Sequence, residues 1–231
     1  MVSRFFVLLL LTGVGAIFVS LMFGYVPDDA LNLTARYYAE NTVRDTGAAN
    51  IVTAIVVTFR GLDTLGEVTV LFLTAAIVGL VLAGSQQGRL RREQPAPGEL
   101  LVTGTRLLVP LILLLGVYVF VNGHLTPGGG FQGGAILASA ILMLLLADPL
   151  REFSHRLISA IESISGLLFV AVGLLGMVYA GGFLDNRILP LGTLGDLISA
   201  GAIPVIYSFI GLKVGAEFSS MMVNLSETEE P

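Results

Sequence analysis

The sequence of 231 residues contains no cysteine, no tryptophan and only two histidines. Without cysteine the chain cannot ligate an iron–sulfur cluster, build a disulfide-stapled secreted module or offer a thiol nucleophile. His124 and His155 stand 31 positions apart, so no metal site is expected from them. Charge is scarce as well, at 13% of residues, against roughly 25% in soluble domains. The little there is leans acidic, with 12 Lys+Arg against 17 Asp+Glu and a net charge of −5, which leaves no basic field for a nucleic acid. These shortages exclude a soluble enzyme and a nucleic-acid binder. No cofactor is expected.

What is present is apolar. Hydrophobic residues make up 55% of the chain, with 28 Gly and 13 Phe, and the mean hydropathy is +0.87. A spanning helix needs about 20 mostly apolar residues, and six windows qualify: 5–23, 65–83, 101–121, 131–147, 157–180 and 197–218. The first has too long an apolar run for a signal peptide and no small-x-small cleavage site behind it. The expected fold is therefore all-α, a polytopic membrane protein of six spans. Arg4, Arg89, Arg91, Arg92, Arg106, Arg151, Arg156 and Lys213 fall on one side, and Arg36, Arg44, Arg60 and Arg187 on the other. By the positive-inside bias both termini are cytoplasmic.

A polar, basic, Pro/Gly-rich run over 84–99 reads as a cytoplasmic linker. It divides the chain into a two-span unit, 1–83, and a four-span unit, 100–231. Residues 25–47 read as a solvated outer cap with a short helix over 33–45, in which Glu40 and Arg44 have the favourable i,i+4 spacing. The apolar stretch 48–59 is too short to cross a bilayer and is expected to be half-inserted. It runs into the polar break RGLDTLGE, 60–67, and such a break is tolerated at membrane depth only inside protein or along a cavity. Thr64-Leu65-Gly66-Glu67 is echoed by Thr193-Leu194-Gly195-Asp196, each just before a span.

Ionisable groups inside spans are costly and hence functional candidates. Asp63 and Glu67 lie one helical turn apart, so both carboxylates can share a face and bind a cation or relay a proton. The alternative is a capping box with Thr64 as N-cap and Glu67 three residues on, or neutralisation of Asp63 by Arg60. Glu162 stands early in the fifth window, as an intramembrane carboxylate or as an interfacial one reaching back to Arg151 or Arg156. Lys213 and Glu217 form an i,i+4 pair in the sixth, either self-neutralised and titratable or snorkelling to the surface. Between the third and fourth windows, NGHLTPGGGFQGG (122–134) forces a tightly turning backbone. No Lys, Ser or Thr follows its glycines, so it is not a phosphate loop. It reads as a docking loop, carrying His124, Pro127, Gly128, Gly129, Gly130 and Phe131, in which His124 bonds locally or relays a proton.

The strings GHLTPGGGFQGGAI (123–136), LPLGTLGDLISAGAIPVI (189–206) and GLKVGA (211–216) closely resemble the MrpB/MnhB-like family, the B-type subunits of Mrp sodium/proton antiporters. The likeness runs in order over about 101–220. NIVTAIVVTFRGLDTLGEVTVL (50–71) resembles the C-terminal part of the large A-type antiporter subunit, which occurs as a separate small subunit in related membrane hydrogenases. The resemblance implies a fusion of two small subunits, non-catalytic, in an Mrp-like ion-translocating module of a prokaryotic cell membrane. It implies A/D-like antiporter subunits and C-, E-, F- and G-like small subunits as partners, with hydrogenase-like or sulfur-reducing redox subunits as the other setting, and Na⁺ and H⁺ as the ions. It further implies that Asp63 and Glu67 take part in antiport, and that the loop with Pro127 and Phe131 is needed for function. Two roles stay open: an ion-conducting subunit and a structural scaffold, the latter supported by glycine-rich spans that pack closely. An intramembrane enzyme is disfavoured, because no nucleophile–base pair is present.

Overall fold

The computed structural model describes residues 2–25, 30–85, 97–149 and 151–228. Most of the expected linker, with Arg89, Arg91 and Arg92, lies outside the described residues, as does the end of the acidic tail. Among the described residues the regular structure is entirely helical.

Two units are distinguishable, with a boundary after Tyr37. In the first, helix α1 (Val2–Gly24) has no buried side chain over the described stretch Arg4–Gly24. A helix apolar on every side and unburied by its own chain is what lipid would solvate. Thr12 turns its hydroxyl back to the Leu8 carbonyl, 2.8 Å away, and so presents no free polar group. Helix α2 (Leu33–Thr46) starts on Asn32, whose side chain accepts from the Ala35 amide at 2.8 Å.

The second unit is built around α8 (Ile203–Thr228), against which α4 (Gly61–Ser85), α5 (Glu99–Val121), α6 (Gly130–Ala147) and α7 (His155–Tyr179) all pack. Among the described residues five helices (α1, α4, α5, α6 and α7), rather than the six expected, are long and apolar enough to cross a membrane, and α8 is not one of them. The sixth window belongs to α8, 26 residues long, which starts at Ile203 rather than at 197. The preceding residues cannot extend it: Ala200 and Gly201 both take a left-handed backbone with φ of 59°, which breaks a right-handed helix.

Close approach explains the glycines. A Cβ on Gly134 would stand 2.7 Å from the Gly211 carbonyl and 2.8 Å from the Val214 Cβ, and one on Gly133 2.8 Å from the Gly116 carbonyl. Small residues thus set α6 backbone to backbone against α8 on one face and α5 on another, as in other membrane helix pairs.

Loops at one end of this unit converge on buried Asn186, at the start of a short 3₁₀ turn (Asn186–Ile188). Its Nδ2 donates to the Thr46 carbonyl at 2.7 Å and the Ala200 carbonyl at 2.8 Å, and its own carbonyl accepts from Ala202 at 2.9 Å. The end of α2 is therefore not the solvated cap expected: Thr42 and Thr46 are buried there. Arg44 pairs with its neighbour Asp45 at 2.9 Å. Asn186→Ala leaves the Thr46 and Ala200 carbonyls without their donor, each worth about 1–3 kcal/mol. The thermal midpoint in detergent should fall by several degrees, with the helical circular-dichroism signal retained.

Candidate functional site

The segment after α2 is helical but irregular. One α-turn, α3 (Ile51–Thr53), passes directly into a π-helical stretch, Ala54–Phe59. π-turns are rare and often mark functional positions. The break narrows to a single residue, Arg60, whose φ and ψ of −129° and 37° are not helical, and α4 resumes at Gly61. Asp63 and Glu67 thus lie inside the first two turns of α4, not in a polar break. Thr64 is not the N-cap: it is buried within α4, and its hydroxyl donates to the Val56 carbonyl of the π-turn at 2.5 Å. Arg60 pairs with Asp63 at 2.5 Å, with both side chains more than half exposed. Glu67 shares the exposed surface of α4 and makes no ion pair among the described residues. The echo at Thr193–Asp196 is a turn rather than a helix start.

A second group of charges forms between α4, α7 and α8. Lys213 donates to Glu217 Oε1 at 2.6 Å; Lys213 is 8% exposed and Glu217 0%. Lys213 therefore does not snorkel. Its ammonium sits 5.0 Å from the centroid of the Phe72 ring, a cation–π contact, and its stem passes 3.3 Å from where a Cβ of Gly166 would be. Glu217 Oε2 is buried without a hydrogen-bond partner among the described residues. Beside Lys213 lies a cavity of about 250 Å³, with Thr69, Phe72, Glu162 and Ser163 on its walls. Glu162 faces this space and pairs with neither Arg151 nor Arg156; Arg151 lies over the Phe153 ring instead. The five charged candidates thus divide into an exposed pair on α4 and a triad of the buried Lys213 and Glu217 with the half-buried Glu162.

The glycine-rich loop docks within the chain. Asn50 Nδ2 donates to the Gly123 and Thr126 carbonyls at 2.9 and 3.0 Å, and Thr53 donates to Gly123 at 2.6 Å. The Tyr207 hydroxyl donates to Thr53 at 3.1 Å. Gly129 lies tightly against Tyr207, Gly130 lies against Ile210, where a Cβ would collide at 2.6 Å, and Phe131 packs against the core. Gly128 and Gly129 have φ of 154° and 156°, and Pro127 is left exposed at the loop tip. Nothing in the sequence pointed to Asn50, Thr53 or Asn186, each of which has a hydrogen-bond partner 70 or more residues away along the chain.

His124 is fully buried, not a local loop group. Its carbonyl accepts from the Ala49 and Asn50 amides at 2.9 and 3.0 Å, and its Nε2 is 3.3 Å from the Asp196 carbonyl. Burial lowers its pKa below the ordinary value, and the Asp196 carbonyl opposes this only in part. Folding therefore favours the neutral imidazole. As pH falls through about 6.5 the unfolded chain takes up the proton and the folded chain resists it. Stability should decline between about pH 7 and pH 5.5, and His124→Gln should flatten that dependence in a thermal-melt series.

Comparison with known proteins agrees with this architecture. A family model described as a domain related to the MnhB subunit of Na⁺/H⁺ antiporters matches residues 100–220, and the MbhE model, which describes an MBH subunit, matches 3–103. The chain belongs to the MnhB-related family. It is similar to a chain in the structure of the membrane-bound sulfane sulfur reductase, an archaeal respiratory complex. That match has 40% identity and a TM-score of 0.81, and covers 97% of this chain and 98% of that one. It is also similar to a chain of the Mrp complex from Dietzia sp. DQ12-45-1b, at 30% identity and TM-score 0.78, covering 97% of this chain but only 26% of that one. The B-type subunit of the Bacillus subtilis Na⁺/H⁺ antiporter is 39% identical over 97 residues, 41% of this chain and 68% of that one. These relatives belong to multi-subunit membrane assemblies, and the chain is a multi-pass membrane subunit of that kind.

Proposed function

We propose that this chain is a non-catalytic subunit of an Mrp-like module and contributes directly to the movement of Na⁺ or H⁺. The observation that carries this reading is the triad, a buried Lys213–Glu217 pair with the half-buried Glu162 beside it. Lys213 lies ten residues into α8, about 15 Å along its axis, and charges at such depth are retained at a cost that a packing role does not require. The α4 carboxylates Asp63 and Glu67 are the second charged station, on a helix entered through a π-turn. Partners are other membrane subunits, A/D-like and C-, E-, F- or G-like, in a prokaryotic cell membrane with both termini cytoplasmic. Units 1–83 and 100–231 correspond to two small subunits joined by the linker.

In this reading Asp63→Asn with Glu67→Gln removes two charges from an exposed surface without disturbing the core. Cation/proton exchange by the assembled complex in vesicles should drop at least tenfold, with normal complex on a native gel. Unchanged exchange would remove the α4 pair from the path.

The scaffold reading draws on Pro127, exposed at the tip of the glycine-rich loop, where another subunit can seat. Shortening that tip should then dissociate the complex, rather than leave it intact and inactive.

A further inference from the structure

We infer that the cavity between α4, α7 and α8 is a hydrated proton vestibule, and that Lys213 is the gate passing protons from its water to the sealed carboxylate of Glu217. The inference rests on the triad being part of the ion path and gives that path an order.

Three observations combine. The cavity, about 250 Å³, has room for several waters. It is walled in part by Leu65, Val68 and Phe169 but carries the Thr69 and Ser163 hydroxyls and the Glu162 carboxylate, which supply the polar partners that bound water needs. Lys213 lines it. Glu217 is not among the lining residues and is fully buried; its Oε1 is reached by Lys213 Nζ at 2.6 Å and its Oε2 has no partner among the described residues. Lys213 therefore touches both compartments, and Phe72 holds its ammonium from the α4 side.

Charge makes the arrangement reactive. One ammonium stands against two carboxylates, so the triad carries one uncompensated negative charge at membrane depth, which favours uptake of a proton. The transfer balances simply. An N–H bond of Lys213 breaks as an O–H bond forms on Glu217 Oε1, leaving a neutral amine beside a neutral acid. Water in the vestibule then passes a proton from protonated Glu162 to the amine, which restores the ammonium and leaves the Glu162 carboxylate. Glu162 is the loading group, and Thr69 and Ser163 orient the water between them.

The absence of cysteine makes accessibility the direct test. Single Thr69→Cys, Ser163→Cys and Glu217→Cys chains, each in the whole complex in vesicles, are treated with a small cationic methanethiosulfonate. Positions 69 and 163 should label readily. Position 217 should label at least tenfold more slowly, and Lys213→Ala should raise its rate to that of position 163. Inert positions 69 and 163 would eliminate the vestibule, and rapid labelling at 217 with Lys213 in place would eliminate the gate. If Glu217→Cys fails to assemble, infrared difference spectroscopy of the unlabelled complex on acidification replaces it. Two carboxylic-acid bands are the expected result, one absent in Glu162→Gln that shifts promptly in D₂O and one absent in Glu217→Gln whose shift lags behind it; a Glu217 band that shifts as fast as, or faster than, the Glu162 band overturns the order. Labelling as expected in a complex whose ion exchange survives Glu162→Gln would leave the vestibule standing and refute the ion-path reading instead.

Discussion

Lys213→Met should strip the complex of ion exchange and of much of its assembled yield, whereas pairing it with Glu217→Leu should restore the yield alone. The single substitution leaves a carboxylate with 0% exposure facing no cation. An uncompensated charge of this kind costs about 3–5 kcal/mol, unless it is protonated and its own hydrogen-bond needs go unmet. Removing both partners removes that cost, because apolar replacements of similar volume are often neutral or stabilising at such positions. Phe72 loses its cation–π contact in both variants, a term of about 1 kcal/mol, too small to decide the yield. Assembled complex on a native gel should therefore fall severalfold in Lys213→Met and return close to the wild-type amount in the double variant. Equal losses in both would mean that the pair is needed for packing itself.

Gly134→Val should be the most damaging packing change. The first added carbon already meets the Gly211 carbonyl and the Gly215 amide, at 2.7 and 2.9 Å, and these are backbone atoms that no rotamer change can move. Overpacking costs about 1–3 kcal/mol where side chains can yield, and more is expected here because two helices must part. The α8 segment that separates carries Lys213 and Glu217, so both stability and ion exchange should be lost. Gly134→Ala should be milder in the same direction. Gly104→Ala, on α5 with nothing within 4 Å of the new carbon, should leave the thermal midpoint within a degree or two. The comparison separates glycines needed for contact from those that are not.

Much of this was legible in the sequence, and the remainder failed for identifiable reasons. Apolar windows located the spans well, and five helix cores fall where hydropathy put them. Hydropathy cannot register backbone handedness, so the start of α8 was set too early, across Ala200 and Gly201. A π-turn has the composition of an α-turn, which is why 48–59 reads as a half-inserted stretch before a polar break and Thr64 as a cap. The i,i+4 spacing of Lys213 and Glu217 announced their pairing. Glu162 shares a cavity with Lys213 across roughly 50 residues of chain, a relation that only tertiary packing creates. Asn50, Thr53 and Asn186 carried no signal, because an isolated polar residue in an apolar stretch looks the same whether it caps locally or spans the fold.

The most direct measurement is proton-gradient-driven sodium uptake into vesicles holding the purified complex, compared at equal assembled amounts for the wild type and Lys213→Met/Glu217→Leu. A conducting role for the triad predicts that the assembled double variant takes up sodium at less than a tenth of the wild-type rate. Uptake at the wild-type rate would contradict it and leave the chain as a scaffold.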